Sequence, residues 1–379
     1  MESLLWFTQL AIKCNNQIFT KHYLLDMKFN IYSFIFLIAV FSISCSKNSN
    51  PKPSPTPASK SDTDIYIAGT MVAANGQGVA TYWKNGVAVK LSDSSLNSMA
   101  RSIAVRPNGD IYVVGNIGEP SPIEQAAAYW KNGIVTRLNN TQNQSDAYNI
   151  AFVGSDIYIN GITTDSVVMP TATYWKNNVE TLLPLGWTGS ETFAMGTNGT
   201  DVYFAGDSRT SSTVYQYFPT SWKNNDSPTL FSSNGYGAIY GMAVNGNDVY
   251  MTGFTQQSGK PANGIYWKNG TPTLLAGGLA AYAITTNGSD VYIAGMALFN
   301  GKTVAAYWKN DNLVPLNDGT VLSYAYAITV VGSNVYVAGI THDKNGNINA
   351  CYWKNGVLNV LPQGVAGKAS ANGIAVVTH

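Results

Sequence analysis

The chain has 379 residues, of which 11% are charged, and a formal net charge of +1, against roughly 25% charged residues in ordinary soluble proteins. This near-neutral balance excludes the basic field of a nucleic-acid binder, and a hydrophobic content of 45% excludes a disordered chain. Gly 36, Tyr 23 and Trp 9 favour a turn-rich, aromatic β protein over a helical one.

Taken in chain order, residues 1–26 carry no targeting logic and read as an over-extended N-terminus, with Met27 as the start. From Met27 the sequence runs MKFNIYSFIFLIAVFSISC: one lysine, an apolar run, then small residues before Cys45. Residues 27–44 therefore read as a signal peptide, too short to favour a stable membrane span. The segment resembles a bacterial lipoprotein signal, which implies lipidation at Cys45, export, and anchoring in the cell envelope, with the outer membrane as the expected address. Ser44 suits that family's pattern, while Ser42 departs from its usual Leu. A cleaved secretory signal without lipid is the alternative. Residues 45–63 then comprise the lipidated cysteine and a Ser/Pro/Lys tether with almost nothing to bury.

The region 64–379 is built on self-similarity. Tyr-Trp-Lys-Asn or a near copy recurs seven times, its tryptophans at Trp83, Trp130, Trp175, Trp222, Trp267, Trp308 and Trp353, spaced by 47, 45, 47, 45, 41 and 45 residues. Asp-(Val/Ile)-Tyr-x-x-Gly also recurs seven times, opening at Asp64, Asp110, Asp156, Asp201, Asp248, Asp290 and, in variant form, Asn334. In the second copy, strand-like runs at 100–105, 110–115, up to Trp130, and 134–138 are separated by Pro-Asn-Gly and Lys-Asn-Gly turns, strong hairpin signals. Four antiparallel strands per unit of about 45 residues specify a propeller blade.

The ends complete the count. The first copy lacks its leading strand, and residues 371–377, ANGIAVV, supply that strand alone. The fold expected is an all-β, seven-bladed β-propeller, its ring closed by the C-terminal strand joining the N-terminal blade. Residues 64–377 resemble bacterial extracellular β-propeller repeat proteins, whose repeats pair a Val-Tyr-x-x-Gly strand with an aromatic-Trp-x-x-Gly hairpin. That resemblance implies the fold and says little about function.

The repeated tryptophans suit either sugar stacking or packing between blades, and their place in a buried-sheet motif favours packing. Cys351 stands where other copies have Thr or Ala and reads as a small buried filler. Asp opens the second strand and Lys ends the third, so pairs such as Asp64 with Lys84, Asp110 with Lys131 and Asp248 with Lys268 are expected at one rim. The short turns lie on that face, and the long, dissimilar connections lie on the other, where loop-borne function is expected.

Two sets of candidate ligand-binding residues fall toward the variable face. One is a column near the start of each innermost strand: Arg101, Tyr148, Phe193, Tyr240, Tyr282, Tyr326 and Asn372. It could stack on a ligand at the mouth of a central channel, or pack between blades. The other comprises aromatics outside the repeat, Trp187, Tyr215, Tyr217, Phe218, Tyr236 and Phe299, with Arg101 or Arg209 nearby. Asp343 to Asn347 reads as a hairpin loop rather than a calcium loop, because it lacks the distal Glu. Glu119, Glu124, Glu180 and Glu191 lie in different blades or loops and show no carboxylate pair of the glycosidase kind.

No metal or cofactor is expected, and the scarcity of histidine argues against a catalytic cluster. The sequence thus points to a monomeric, envelope-anchored, non-catalytic binding or scaffold propeller that recognises a glycan or an envelope protein. The alternatives are a polysaccharide lyase-type enzyme with a central-channel site and a purely structural envelope protein.

Overall fold

A computed structural model describes residues 63–119, 125–138, 143–164, 169–184, 188–209, 216–231, 235–364 and 366–379. Cys45, the signal-like segment, the tether, Trp187 and Tyr215 lie outside the described residues. The alternating runs pair into seven four-stranded antiparallel sheets, and no described residue is helical. Blade 2 shows the pattern: Met99–Val105, Ile111–Gly118, Gln125–Lys131 and Ile134–Arg137 follow one another outward from the axis. Its middle strands extend beyond the repeat motif toward the variable face.

Blade 1 is the exception that closes the ring. Its outer three strands, Thr63–Val72, Gly78–Lys84 and Val87–Lys90, come from the start of the described chain, and its innermost strand is the C-terminal Ala369–Thr378. The innermost strands contact one another in an unbroken cycle, with Ala369–Thr378 seated between those of blades 7 and 2.

The hairpin between the third and outermost strands has a local cause. Asn85 and Gly86 adopt φ of 50° and 82°, the doubly left-handed turn that matches strand twist. The same asparagine also clamps the second strand: its Oδ1 accepts the Ile65 N–H at 2.8 Å, and its Nδ2 donates to Asp64 Oδ1 at 2.7 Å. Lys84 then reaches Asp64 Oδ2 at 2.9 Å while lying 5.1 Å from the centre of the Tyr66 ring. The expected Asp–Lys pairs therefore form in blades 1 to 6, and the motif asparagine and tyrosine are further members of each clamp. In blade 7 Asn334 replaces the aspartate, and Asn355 Nδ2 donates to it at 2.8 Å.

These clamps make the fold sensitive to acid. Hydrogen bonds from Lys131, Asn132 and Asn108 draw Asp110 down to about 2, and the paired motif asparagine and lysine lower Asp64, Asp156, Asp201, Asp248 and Asp290. A carboxyl lowered by folding contributes stability above its unfolded value of about 3.9, and that contribution is lost as pH falls through the folded value. Thermal melts across a pH series should be flat near neutrality and drop steeply between pH ~4 and ~2. A melting temperature that is unchanged at pH ~2.5 would remove the clamps as a source of stability.

Side chains from adjacent blades interleave to make the core. The seven motif tryptophans are buried, and each lies in a cluster shared between neighbouring sheets. Trp83, Trp222 and Trp308 each donate Nε1–H at 3.0 Å to a backbone carbonyl after the preceding blade, at Pro362, Pro184 and Ala276. Packing, not sugar stacking, is the role of these indoles. Cys351 is fully enclosed among them, and burial pushes its thiol well up.

Candidate functional site

The glycine of the repeat motif positions the inward-facing column. A Cβ on Gly253 would stand 1.9 Å from the Ala238 carbonyl oxygen, and the equivalent glycines 69, 115, 161, 206, 295 and 339 meet the matching carbonyl at 1.9–2.1 Å. Only glycine permits this approach. Immediately after it, the innermost strand takes in one extra residue, so pairing resumes one position later. The extra residues are Asn372, Phe193, Tyr240, Tyr282, Tyr326, Arg101 and Tyr148. A β-bulge re-aims the side chain it carries, and here it does so in all seven blades.

Once re-aimed, the rings touch their counterparts on adjacent blades. Tyr148 and Phe193 lie 5.2 Å apart between centroids, and Phe193–Tyr240, Tyr240–Tyr282 and Tyr282–Tyr326 each lie 5.6 Å apart. Arg101 lies 4.6 Å from the Tyr148 ring centre, and Asn372 Nδ2 donates to the Ala100 carbonyl at 2.8 Å. The column is a half-buried ring of five aromatics with Arg101 and Asn372 around the axis, and it lies at or near the middle of the innermost strands rather than at their starts, Tyr240 for example midway along Tyr236–Asn245.

Beside this ring lies a buried polar array that the repeat does not require. Arg101 is not a free surface cation: its Nε donates to Asp146 Oδ1 at 2.9 Å, its Nη2 also engages Asp146, and Asn116 Nδ2 donates to the same carboxylate at 3.1 Å. Arg209 is likewise paired, with Glu191 Oε1 at 2.5 Å, and stacks 4.9 Å from the Tyr217 ring centre. The described glutamates remain apart, but register brings an aspartate to one of them. Strand register sets Glu191 directly opposite Asp207, although 16 residues separate them in sequence.

Both acids are buried. Burial pushes Asp207 well up, the neighbouring Glu191 charge adds to the rise, and Arg209 opposes it. Glu191 is also raised by burial, against the pull of Arg209. Burial likewise raises the Tyr148 and Tyr240 phenols, with nearby carboxylates adding to the effect. Asp146, Asp207 and Asn116 escaped the sequence reading. Asp146 and Glu191 are nevertheless marked there, because two positions before the column residue only blades 3 and 4 carry an acid.

Phe218 and Tyr236 line a half-open cleft of about 290 Å³ with Gln216, Gly235 and Ser258, between blades 4 and 5 on the variable face. Tyr217 lies on the strand Tyr217–Lys223 beside it, whereas Phe299 packs into the core of blade 6. Asp343 spends its carboxylate on its own loop, accepting from the N–H groups of Asn345 and Asn347 at 2.8 and 2.9 Å and from Asn347 Nδ2 at 2.8 Å. Among the described residues no group of three or more His, Cys, Asp or Glu is placed to hold a metal ion.

No protein-family model matches the chain, and no curated protein matches it. Solved structures do. The chain is similar to the β-propeller domain of the Trilobed protease from Pyrococcus furiosus, with a TM-score of 0.51 and 10% identity over 80% of this chain and 93% of that one. That domain is described as having an open velcro topology, whereas here the terminal strands share a sheet. A puromycin-hydrolyzing peptidase of Mycobacterium tuberculosis matches with a TM-score of 0.53 and 10% identity, over 80% of this chain and 52% of that one. A puromycin hydrolase matches with a TM-score of 0.52 and 9% identity, over 82% and 52%. The present chain spans about half the length of these two hydrolases, and the likeness is one of fold: this protein is a seven-bladed β-propeller.

Proposed function

We propose that the protein is a binding or scaffold propeller, held at the cell envelope through Cys45, that takes a glycan or an envelope protein at its variable face. The observation that carries this reading is the aromatic ring at seven β-bulges, continuous from Tyr148 to Tyr326. A scaffold without a ligand does not need five half-buried aromatics brought to the axis by bulges in successive blades. The adjoining cleft and the long connections supply further contact surface on the same side.

The test is a glycan array together with envelope pull-down, using residues 46–379 as wild type and as Tyr240→Ala. Loss of the captured ligand by about tenfold or more in the variant supports the site, and capture indifferent to Tyr240 discards it. Intact mass of the membrane-bound protein tests the anchor, and an unmodified Cys45 removes it. The pairing of Glu191 with Asp207 favours one second reading, a polymer-cleaving enzyme using the same blade face. Depolymerisation of a purified polysaccharide by wild type, abolished in Asp207→Asn, would establish it.

A further inference from the structure

Blade 4 gathers on one side of its sheet a set of side chains that no other blade repeats. Glu191 lies opposite Asp207, and Arg209 lies opposite Tyr217, so the four share a face. In the other six blades the position of Asp207 holds Asn116, Ile162, Phe254, Met296, Ile340 or Thr70. The repeat builds six blades without an acid there, so neither strand pairing nor packing explains Asp207.

The array is also incompletely satisfied. The Arg209–Glu191 contact uses one guanidinium nitrogen and one carboxylate oxygen. Asp207 is 3% exposed, and its Oδ1 is buried without a hydrogen-bond partner among the described residues; Arg209 Nε is orphaned in the same way. A buried polar group left unpaired is costly, and natural proteins keep few of them. Here an unpaired carboxyl oxygen and an unpaired guanidinium N–H sit on one sheet face, on neighbouring positions of the strand Val202–Arg209.

We propose that Glu191, Asp207, Arg209 and Tyr217 form a subsite for one uncharged, hydroxyl-bearing sugar ring. Adjacent hydroxyls pair with the Asp207 carboxyl and accept from Arg209 Nε–H. This rests on the variable-face reading above and narrows its ligand to a neutral glycan. Charge supports the choice. Glu191 already neutralises Arg209, and Arg101 neutralises Asp146, so among the described residues neither arginine beside the ring is a spare cation for an anionic ligand. A hydroxyl both donates and accepts, and it can therefore satisfy the carboxyl and the N–H together.

Calorimetric titration with neutral hexasaccharides of glucose, mannose, xylose, galactose and N-acetylglucosamine, and with an oligouronate as the charged comparison, tests the subsite. The protein is compared with its Asp207→Asn and Asp207→Leu variants, both first shown to melt cooperatively. At least one neutral hexasaccharide is expected to bind. Asp207→Leu should weaken that binding about tenfold or more, and Asp207→Asn should preserve most of it, because the amide keeps a donor and an acceptor without charge. Binding confined to the oligouronate, or equal binding by Asp207→Leu, overturns the subsite. If no neutral hexasaccharide binds but a protein partner is captured in a Tyr240-dependent way, the subsite fails and the variable-face reading stands. If neither occurs, both fail.

Discussion

Deleting residues 369–379 is expected to abolish cooperative folding of the whole propeller. The strand Ala369–Thr378 pairs with Thr63–Val72 from Thr63↔Thr378 to Met71↔Ala369 and is the innermost strand of blade 1. Its buried Ala369 and Ala371 enter the cluster that joins blade 1 to blade 7, and Asn372 ties it to blade 2. The deletion therefore bares one edge of a sheet and two blade interfaces together. Net stabilities of folded domains are only about 5–15 kcal/mol, and no single side chain in this ring accounts for as much contact. Far-ultraviolet circular dichroism during heating and urea titration is the measurement, with a synthetic peptide of residues 366–379 added to seek rescue. A truncated protein with the melting temperature and sharpness of the intact one would refute closure by this strand.

The second large effect is expected from a single methyl group. In Gly253→Ala the new Cβ would stand 1.9 Å from the Ala238 oxygen and 3.0 Å from the Ile239 Cα, and both of these are backbone atoms in the channel wall. The obstacle is not the end of a flexible side chain, so the innermost strand must move or the bulge at Tyr240 must be lost. Overpacking of this kind costs about 3 kcal/mol or more, a drop of roughly 5 °C in a chain of this size. Gly189→Ala is the comparison, because its Cβ would meet only the Pro170 oxygen at 3.4 Å and an arginine methylene at 3.7 Å. It should melt within about a degree or two of wild type. Equal melting of the two variants would show that the close approach is not needed. Loss of bulge geometry should also weaken any ligand held by Tyr240, so stability and binding should fall together in Gly253→Ala.

Much of the architecture could be read directly from residues because each signal was local or periodic. Asn85-Gly86 specifies a turn through the backbone conformations those two residues tolerate. The spacing of Trp83 through Trp353 specifies the unit, and the orphan strand at 371–377 specifies closure. The Asp–Lys pairs followed from strand order, since both residues sit at the ends of adjacent antiparallel strands. The clamp was only half visible. Asn85 looked like a turn residue, and its second role, bonding Asp64 and the Ile65 N–H across the hairpin, depends on a side-chain direction that spacing does not express.

The candidate site was less legible, for the same kind of reason. The column from Arg101 to Asn372 was found by alignment of the repeats, but whether those residues face the axis or a neighbouring blade depends on a bulge, and a bulge is a property of pairing between two strands. Arg101 looked like a binding cation until Asp146, 45 residues away, was seen to neutralise it. Asp207 had no motif to mark it. Its significance comes from the register that places it opposite Glu191 and from the burial that leaves its Oδ1 unpaired.

The repeat by itself determined the number of blades, their four-stranded form, the packing tryptophans and the closure of the ring, because periodic apolar patterning and turn chemistry act over a few residues at a time. Only the tertiary structure decided which side chains meet around the axis. Contacts between Arg101 and Asp146, or Glu191 and Asp207, exist only once sheets have taken their register and glycines have let the bulges form. Those are long-range steric facts, set by how close one backbone can come to another, and no single repeat contains them.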